Sequence, residues 1–237
     1  MNQSPVHPSP AAAILLAAGR SRRMGAFKPL LPFGAQTVIE ACVNNLLAGG
    51  CGEVVVVVGH RAEEVCAALA HLPISFALND EAGSEMGTSI ARGVEALMGG
   101  GAESLTNARA ESFAGDGEAT AGALLIALGD QPAVTAKEIE SIVAAHRRTG
   151  ARLVVPVWRG RGGHPVLVGA SLRASLLTLD AERGLRALFD AHAGEVLRLP
   201  VESEYIARDM DTWEDYRALH EEIFGVTPPD APPSQET

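Results

Sequence analysis

Hydrophobic positions along this chain fall into two patterns. Short unbroken apolar runs occur in AAAILLAA (11–18), EVVVVVG (53–59), ISFAL (74–78), ALLIALGD (123–130) and RLVVPVW (152–158). Runs of this length, bounded by glycine or polar residues, read as strands covered on both faces, and consecutive valines favour extended backbone. Between them, apolar residues recur every three or four positions, which predicts helices at about 37–48, 61–70, 88–98, 135–150 and 213–224. Gly49-Gly50 and Gly150 are stop signals, and Thr135 with Glu138 and Thr212 with Asp215 have the form of capping boxes.

Strands alternating with helices predict an α/β fold: three-layer, doubly wound, with a mostly parallel sheet and helices on both faces. Ligands of such sheets bind outside the carboxyl ends of the strands. The loops after 11–18 and 123–130 therefore become the first places to look for chemistry. Residues 11–225 read as a single domain. The flanks, 1–10 and 226–237, are rich in proline and polar residues and read as disordered. The stretch 99–122 is rich in Gly, Ala, Ser and Glu and reads as a flexible surface insertion, which loop-closure entropy tolerates well.

Composition narrows the class. Of 237 residues 47% are hydrophobic but only 4% aromatic, so the core has to be built from Ala, Val, Leu and Ile. A formal net charge of -10 argues against general nucleic-acid binding, which favours broad basic surface. The three cysteines form no CxxC pair, which disfavours a disulfide framework or zinc site and fits a reducing cytoplasm. The start, MNQSPVHPSP, lacks the form of a signal peptide, and no apolar run approaches the roughly 20 residues that cross a bilayer. The expectation is a cytoplasmic protein without membrane or nucleic-acid partners.

Against this acidic background one loop is basic. LLAAGRSRRMGAFKPLLP (15–32) places Arg20, Arg22, Arg23 and Lys28 around Gly19 and Gly25. Glycines let backbone N–H groups approach an anion closely, and guanidinium and ammonium groups complement phosphate. The dinucleotide fingerprint GxGxxG and the P-loop pattern GxxxxGK[ST] are both absent, which disfavours a Rossmann-type oxidoreductase and a P-loop NTPase. A strand-to-helix turn with solvated arginines accounts for the loop equally well. Further on, LGDQP (128–132) puts Asp130 at the carboxyl edge of a buried strand, a suitable place for a divalent-cation ligand. RDMDTWEDY (208–216) offers Asp209 and Asp211, which face opposite ways on an extended backbone. RGRGGHPVLV (159–168) brings arginines, glycines and His164 together, in a pattern that also suits an ordinary charged turn.

These segments occur in one order, with NDEAGSEMGTSIARGV (79–94) and DAERGLRALF (180–189) between them. Together they resemble the nucleotidyltransferases related to molybdopterin guanylyltransferase, whose leading pattern is LAAGxSxRMGxxKxLLxxxG. Ala18 stands where guanylyltransferase relatives carry a second glycine, and the GTSI and GHP stretches look more like the molybdenum cofactor cytidylyltransferase branch. The resemblance implies a Rossmann-like nucleotidyltransferase fold, CTP as substrate, a molybdopterin-type phosphorylated acceptor and Mg²⁺ as cofactor. It assigns Leu16, Ala17, Ala18, Gly19, Met24 and Gly25 to the triphosphate, with Asn79, Gly87 and Ser89 near base and ribose. Arg23, Lys28 and Asp130 would be catalytic, Asp130 and Asp211 would hold the metal, and Gly163 and His164 would meet the acceptor. Transient docking to a molybdoenzyme or its chaperone is also implied. The sequence departs from the pattern at Trp213, where many relatives have proline, and in the length of 99–122. Transfer from GTP or to another phosphorylated acceptor, and a non-catalytic cofactor carrier, are the competing readings.

Overall fold

A computed structural model of the chain describes residues 11–20, 23–81, 85–99, 122–180 and 183–228. Arg22, the expected disorder at 1–10 and 229–237, and the expected insertion over 100–121 lie outside the described residues.

The elements run in the order β1 (Ala11–Leu16), a small hairpin of β2 (Pro32–Phe33) and β3 (Gln36–Thr37), α1 (Val38–Ala48), β4 (Cys51–Val58), α2 (Ala62–Leu69), β5 (Ser75–Leu78) and α3 (Met86–Leu97). After these come β6 (Ala123–Leu128), α4 (Ala136–Thr149), β7 (Leu153–Trp158), β8 (Arg161–Gly162), β9 (Val166–Gly169), α5 (Arg173–Leu176), α6 (Leu185–Ala191), β10 (Val196–Pro200) and α7 (Trp213–Phe224). The main sheet has the order β10-β7-β9-β6-β1-β4-β5, with β8 paired to β7. The pairs β1–β4, β1–β6, β4–β5 and β7–β10 are parallel, while β9 runs antiparallel to both β6 and β7. The sheet is mostly parallel and flanked by helices, as the alternation of patterns predicts.

Side-chain alternation along the strands divides the core between the two faces. Ala13, Leu15, Val54, Val56, Val58 and Leu125 pack with α1, α2 and α4. Ala12, Ile14, Val55, Val57, Leu124 and Ile126 pack with α3, α5 and α6. A β-carbon built on Gly93 of α3 would lie 2.5 Å from Ile14 Cγ2, so α3 lies on β1 at a spacing that leaves no room for a side chain there. A third cluster joins Met24, Leu31, Phe33, Val38, Tyr216 and Leu219 and docks α7 against the hairpin. The Tyr216 hydroxyl donates to the Pro32 carbonyl at 2.6 Å.

Helix starts follow the predicted caps. Glu138 accepts from the Thr135 backbone N–H at 2.7 Å, and Asp215 accepts from that of Thr212 at 2.8 Å. Thr37 and Glu40 form a third capping box, at α1. Two features depart from the sequence reading. The antiparallel β9 comes from HPVLVG, a run too short and too close to a turn signal to read as a sheet strand. The sequence pattern puts 226–228 in the tail, whereas the Val226 carbonyl lies 2.8 Å from His220 Nδ1 and Pro228 is buried. The αL residue Gly225, at φ 70°, turns the chain back onto α7.

Candidate active site at the carboxyl ends of β1 and β6

The loop after β1 closes on a single 3₁₀ turn, Lys28–Leu30, in which Lys28 and Pro29 are buried. Leu31 N–H donates to the Lys28 carbonyl at 3.1 Å, and Phe27 enters the core beneath. The turn thereby sets where the Lys28 side chain leaves the backbone, and its ammonium reaches Asp130 and Asp211. Asp130 comes to the same place from β6, two residues beyond its last strand position. Asp211 comes from the segment before α7. Its backbone N–H donates to Asp215 at 3.2 Å, and the same carboxylate oxygen accepts from the Thr212 N–H and hydroxyl at 2.8 Å each. The helix cap thus also anchors Asp211.

Lys28 Nζ lies 2.8 Å from Asp211 Oδ1 and 3.3 Å from Asp130 Oδ2. Arg23 Nη1 reaches Asp211 Oδ2 at 2.9 Å. The lysine side chain is only 9% exposed, whereas Asp130 and Asp211 are 34% and 41% exposed. One cation is therefore sunk beneath two carboxylates that still face solvent. The hydrogen bond from Lys28, followed by the Lys28 and Arg23 charges, holds the Asp211 carboxyl below the usual carboxylate range. Arg23 is 79% exposed, so its own pair is weak and salt-sensitive.

A cavity of about 520 Å³ opens beside this cluster. Among the residues singled out from the sequence, Leu16, Ala17, Ala18, Gly19, Arg20, Lys28, Asn79, Ser89 and Asp130 line it. Asn79 Nδ2 donates to Ser89 Oγ at 2.8 Å, which ties the end of β5 to the first turn of α3. The other singled-out residues lie outside the lining. Arg23 and Asp211 stand beside it through the ion pairs above. The Met24 side chain is buried in the third cluster, so its contribution is packing. Gly25, at φ 71°, turns the loop. Gly87 is buried in α3 against Leu179.

Gly163 has a packing reason of its own. A β-carbon there would lie 1.9 Å from the Ile206 carbonyl oxygen, so the glycine lets two backbones touch. The next residue uses that contact: His164 N–H donates to the same carbonyl at 2.8 Å. His164 Nδ1 lies 3.2 Å from the Ile126 carbonyl, and burial pushes its imidazole below the ordinary histidine range. The charges of Asp130 and Asp209 act in the opposite direction.

Among the lining residues to which sequence reasoning gave no role are His60, Asp80, Glu81 and Met86. His60 follows β4 and meets the Phe27 ring edge-on at 5.7 Å, while Asp80 and Glu81 follow β5. The signal was present in the topology rule, which applies to the carboxyl end of every parallel strand and not only to β1 and β6. Met86 lies just before the helix predicted at 88–98 and opens α3 in the structure.

The implied divalent cation can be tested against these donors. Among the described residues no group of three or more His, Cys, Asp or Glu surrounds one position. Asp130 and Asp211 nevertheless converge on one cation, the Lys28 ammonium, and supply the hard oxygens that Mg²⁺ accepts. Magnesium ordinarily uses one or two carboxylates and takes its remaining ligands from water and substrate phosphate, so the donor set fits.

Known proteins share this architecture. The chain is 30% identical over 217 residues to Nicotine blue oxidoreductase of Paenarthrobacter nicotinovorans, covering 87% of this chain and 95% of that one. It is 34% identical over 146 residues to the Bifunctional protein GlmU of Syntrophotalea carbinolica, of which it spans only 27%. The solved structure of a nucleotidyl transferase from Methanothermobacter thermautotroptrophicus superposes with a TM-score of 0.71 at 26% identity, covering 91% of this chain and 98% of that one. Residues 13–196 match the MobA-like NTP transferase domain, which holds β1 with its basic loop, β6 with Asp130, and the Gly163-His164 turn. The chain belongs to the MobA-like NTP transferase family.

Proposed function

We propose that this protein transfers CMP from CTP to the terminal phosphate of a molybdopterin-type cofactor and releases pyrophosphate. The observation that carries the reading is the convergence of Lys28, Asp130 and Asp211 beside a cavity large enough for a nucleotide, at the edge where such sheets bind ligands. In this reading an acceptor phosphate oxygen attacks the α-phosphorus of CTP. A new P–O bond forms, the bond from the α-phosphorus to its bridging oxygen breaks, and pyrophosphate departs with that oxygen. An ionised phosphate needs no general base, so the chain's part is to position the reactants and neutralise charge.

Residues 16–19 bind the triphosphate, Arg23 and Lys28 offset the charge of the leaving pyrophosphate, and Asn79 and Ser89 hold the nucleoside end. His164 faces the acceptor as a neutral, buried donor or acceptor. Asp130 and Asp211 hold Mg²⁺, which when bound supplies Lewis-acid polarisation of the phosphate oxygens. Ala18, on the cavity wall, accounts for the choice of cytosine over guanine. The reaction is placed in the cytoplasm, with transient docking to a molybdoenzyme or its chaperone delivering the product.

Pyrophosphate release with CTP or GTP, Mg²⁺ and molybdopterin-containing extract tests this directly. Release with CTP, abolished in Asp130→Ala with the fold intact, supports the proposal. Release with GTP alone reassigns the base, and unimpaired turnover in the Asp130 variant overturns the metal assignment. A second reading rests on the 30% identical relative, whose name is that of an oxidoreductase. Redox turnover of nicotine blue, without pyrophosphate release, would favour it.

A further inference from the structure

A buried ammonium is costly unless it is paired, and Lys28 is paired twice. Its Nζ lies 2.8 Å from Asp211 and 3.3 Å from Asp130, at the point where both carboxylates converge. A divalent cation held by the same two side chains would compete with the ammonium for their oxygens. With Arg23 on the far oxygen of Asp211, two positive groups already balance the two carboxylates. A doubly charged ion brought to these oxygens while Lys28 stays in place would set like charges against each other at contact distance, an arrangement that Coulomb repulsion forbids in a partly desolvated site. A triphosphate in the adjoining cavity offers the ammonium an alternative anionic partner. The flexible four-carbon stem of lysine can make the short exchange, which a planar guanidinium could not make as freely.

We propose that Lys28 is a built-in stand-in for the metal: it holds Asp130 and Asp211 together in the nucleotide-free protein and is exchanged onto the triphosphate as metal and nucleotide enter together. The inference rests on the reading of Asp130 and Asp211 as the metal-holding pair. Its consequence is coupling. Metal binds weakly while Lys28 occupies the carboxylates, nucleotide binds weakly while the carboxylates retain Lys28, and each strengthens the other by the same factor. The site therefore assembles fully only with both ligands present.

Manganese titration of the full-length protein without nucleotide, followed by the electron spin resonance of free Mn²⁺, tests the exchange. The Lys28→Gln variant is expected to bind Mn²⁺ at least about tenfold more tightly than the unaltered protein. Arg23→Gln, which removes an exposed and screened charge from the same carboxylate, should change the affinity by less than about threefold. Equal affinity in the unaltered protein and Lys28→Gln, or equal gains in the two variants, overturns the exchange. Asp130→Asn and Asp211→Asn report separately on the underlying reading: unchanged Mn²⁺ affinity in both overturns the metal pair itself, whereas lost binding there with no gain in Lys28→Gln sinks the exchange alone. Should Lys28→Gln fail to fold, the unaltered protein supplies the answer. The ¹⁵N resonance of the Lys28 ammonium, assigned through its side-chain carbons, should move when Mg²⁺ and CTP are added together; no movement at saturating nucleotide overturns the proposal.

Discussion

Lys28 Nζ and Asp211 Oδ1, 183 positions apart in the chain, meet at 2.8 Å. The contact joins the basic loop after β1 to the segment that leads into α7, and it holds the Asp211 carboxyl below the usual carboxylate range. A carboxyl group held lower in the folded than in the unfolded state adds stability above its ordinary value of about 3.9, and loses it as the pH falls through the folded value. Asp211→Asn should therefore melt below the unaltered protein at pH 7, and the gap should close as the pH is lowered past 4. A constant gap across thermal melts from pH 7 to pH 3 would contradict the assigned pairing.

His164 contributes to the same acid limb of the pH profile, starting at a higher pH. Burial lowers its folded-state pKa below the ordinary value of about 6.5. Above that value both states are neutral and the residue makes no pH-dependent contribution. Below it the unfolded chain takes up the proton first, so stability falls until the folded value is passed. His164→Gln should flatten the melting temperature between about pH 6.5 and 5 relative to the unaltered protein, while leaving the slope above pH 7 unchanged.

Gly163 is fixed by packing as well as by any role toward an acceptor. With a β-carbon 1.9 Å from the Ile206 carbonyl oxygen, Gly163→Ala forces two backbone segments apart. The expected cost is at least about 2 kcal/mol in urea unfolding, with the m-value preserved. A loss of activity in this variant without a loss of stability would show that the glycine serves the ligand and not the fold.

The Tyr216 hydroxyl donates to the Pro32 carbonyl at 2.6 Å from a fully buried ring. Tyr216→Phe keeps the ring and strands the carbonyl, at a cost of about 1–2 kcal/mol. Because α7 follows directly on Asp211, the same variant should weaken Mn²⁺ binding slightly. Isothermal titration would register this, whereas loss of packing remote from the site would leave metal affinity unchanged.

Thr212 caps α7 and shares the Asp215 carboxylate with the Asp211 backbone. Thr212→Ala should cost about 1 kcal/mol as a lost cap. If the cap also positions Asp211, turnover should fall more than CTP affinity does; equal stability loss at the α4 cap, Thr135→Ala, with turnover intact, is the control.

What the sequence determined by itself is local. Continuous apolar runs are strands because only a doubly covered strand tolerates them, and the alternation with capped helices carries the parallel sheet with it. The helix 213–224 was legible to the residue, since Thr212 and Asp215 mark its start chemically, and the structure ends it at Gly225. The basic loop and Asp130 were legible as unusual, because charge at the end of a buried run has no packing explanation. The tertiary structure decided the relations that depend on distance across the fold. It brought Asp211 onto Lys28 and turned HPVLVG into an antiparallel strand. It placed His60, Asp80, Glu81 and Met86 on the cavity wall and made Gly163 a point of backbone contact. Local propensity does not encode which carboxylate meets which ammonium. That outcome is set by the order in which strands pair and by the loops that then share one edge of the sheet, a property of the whole chain.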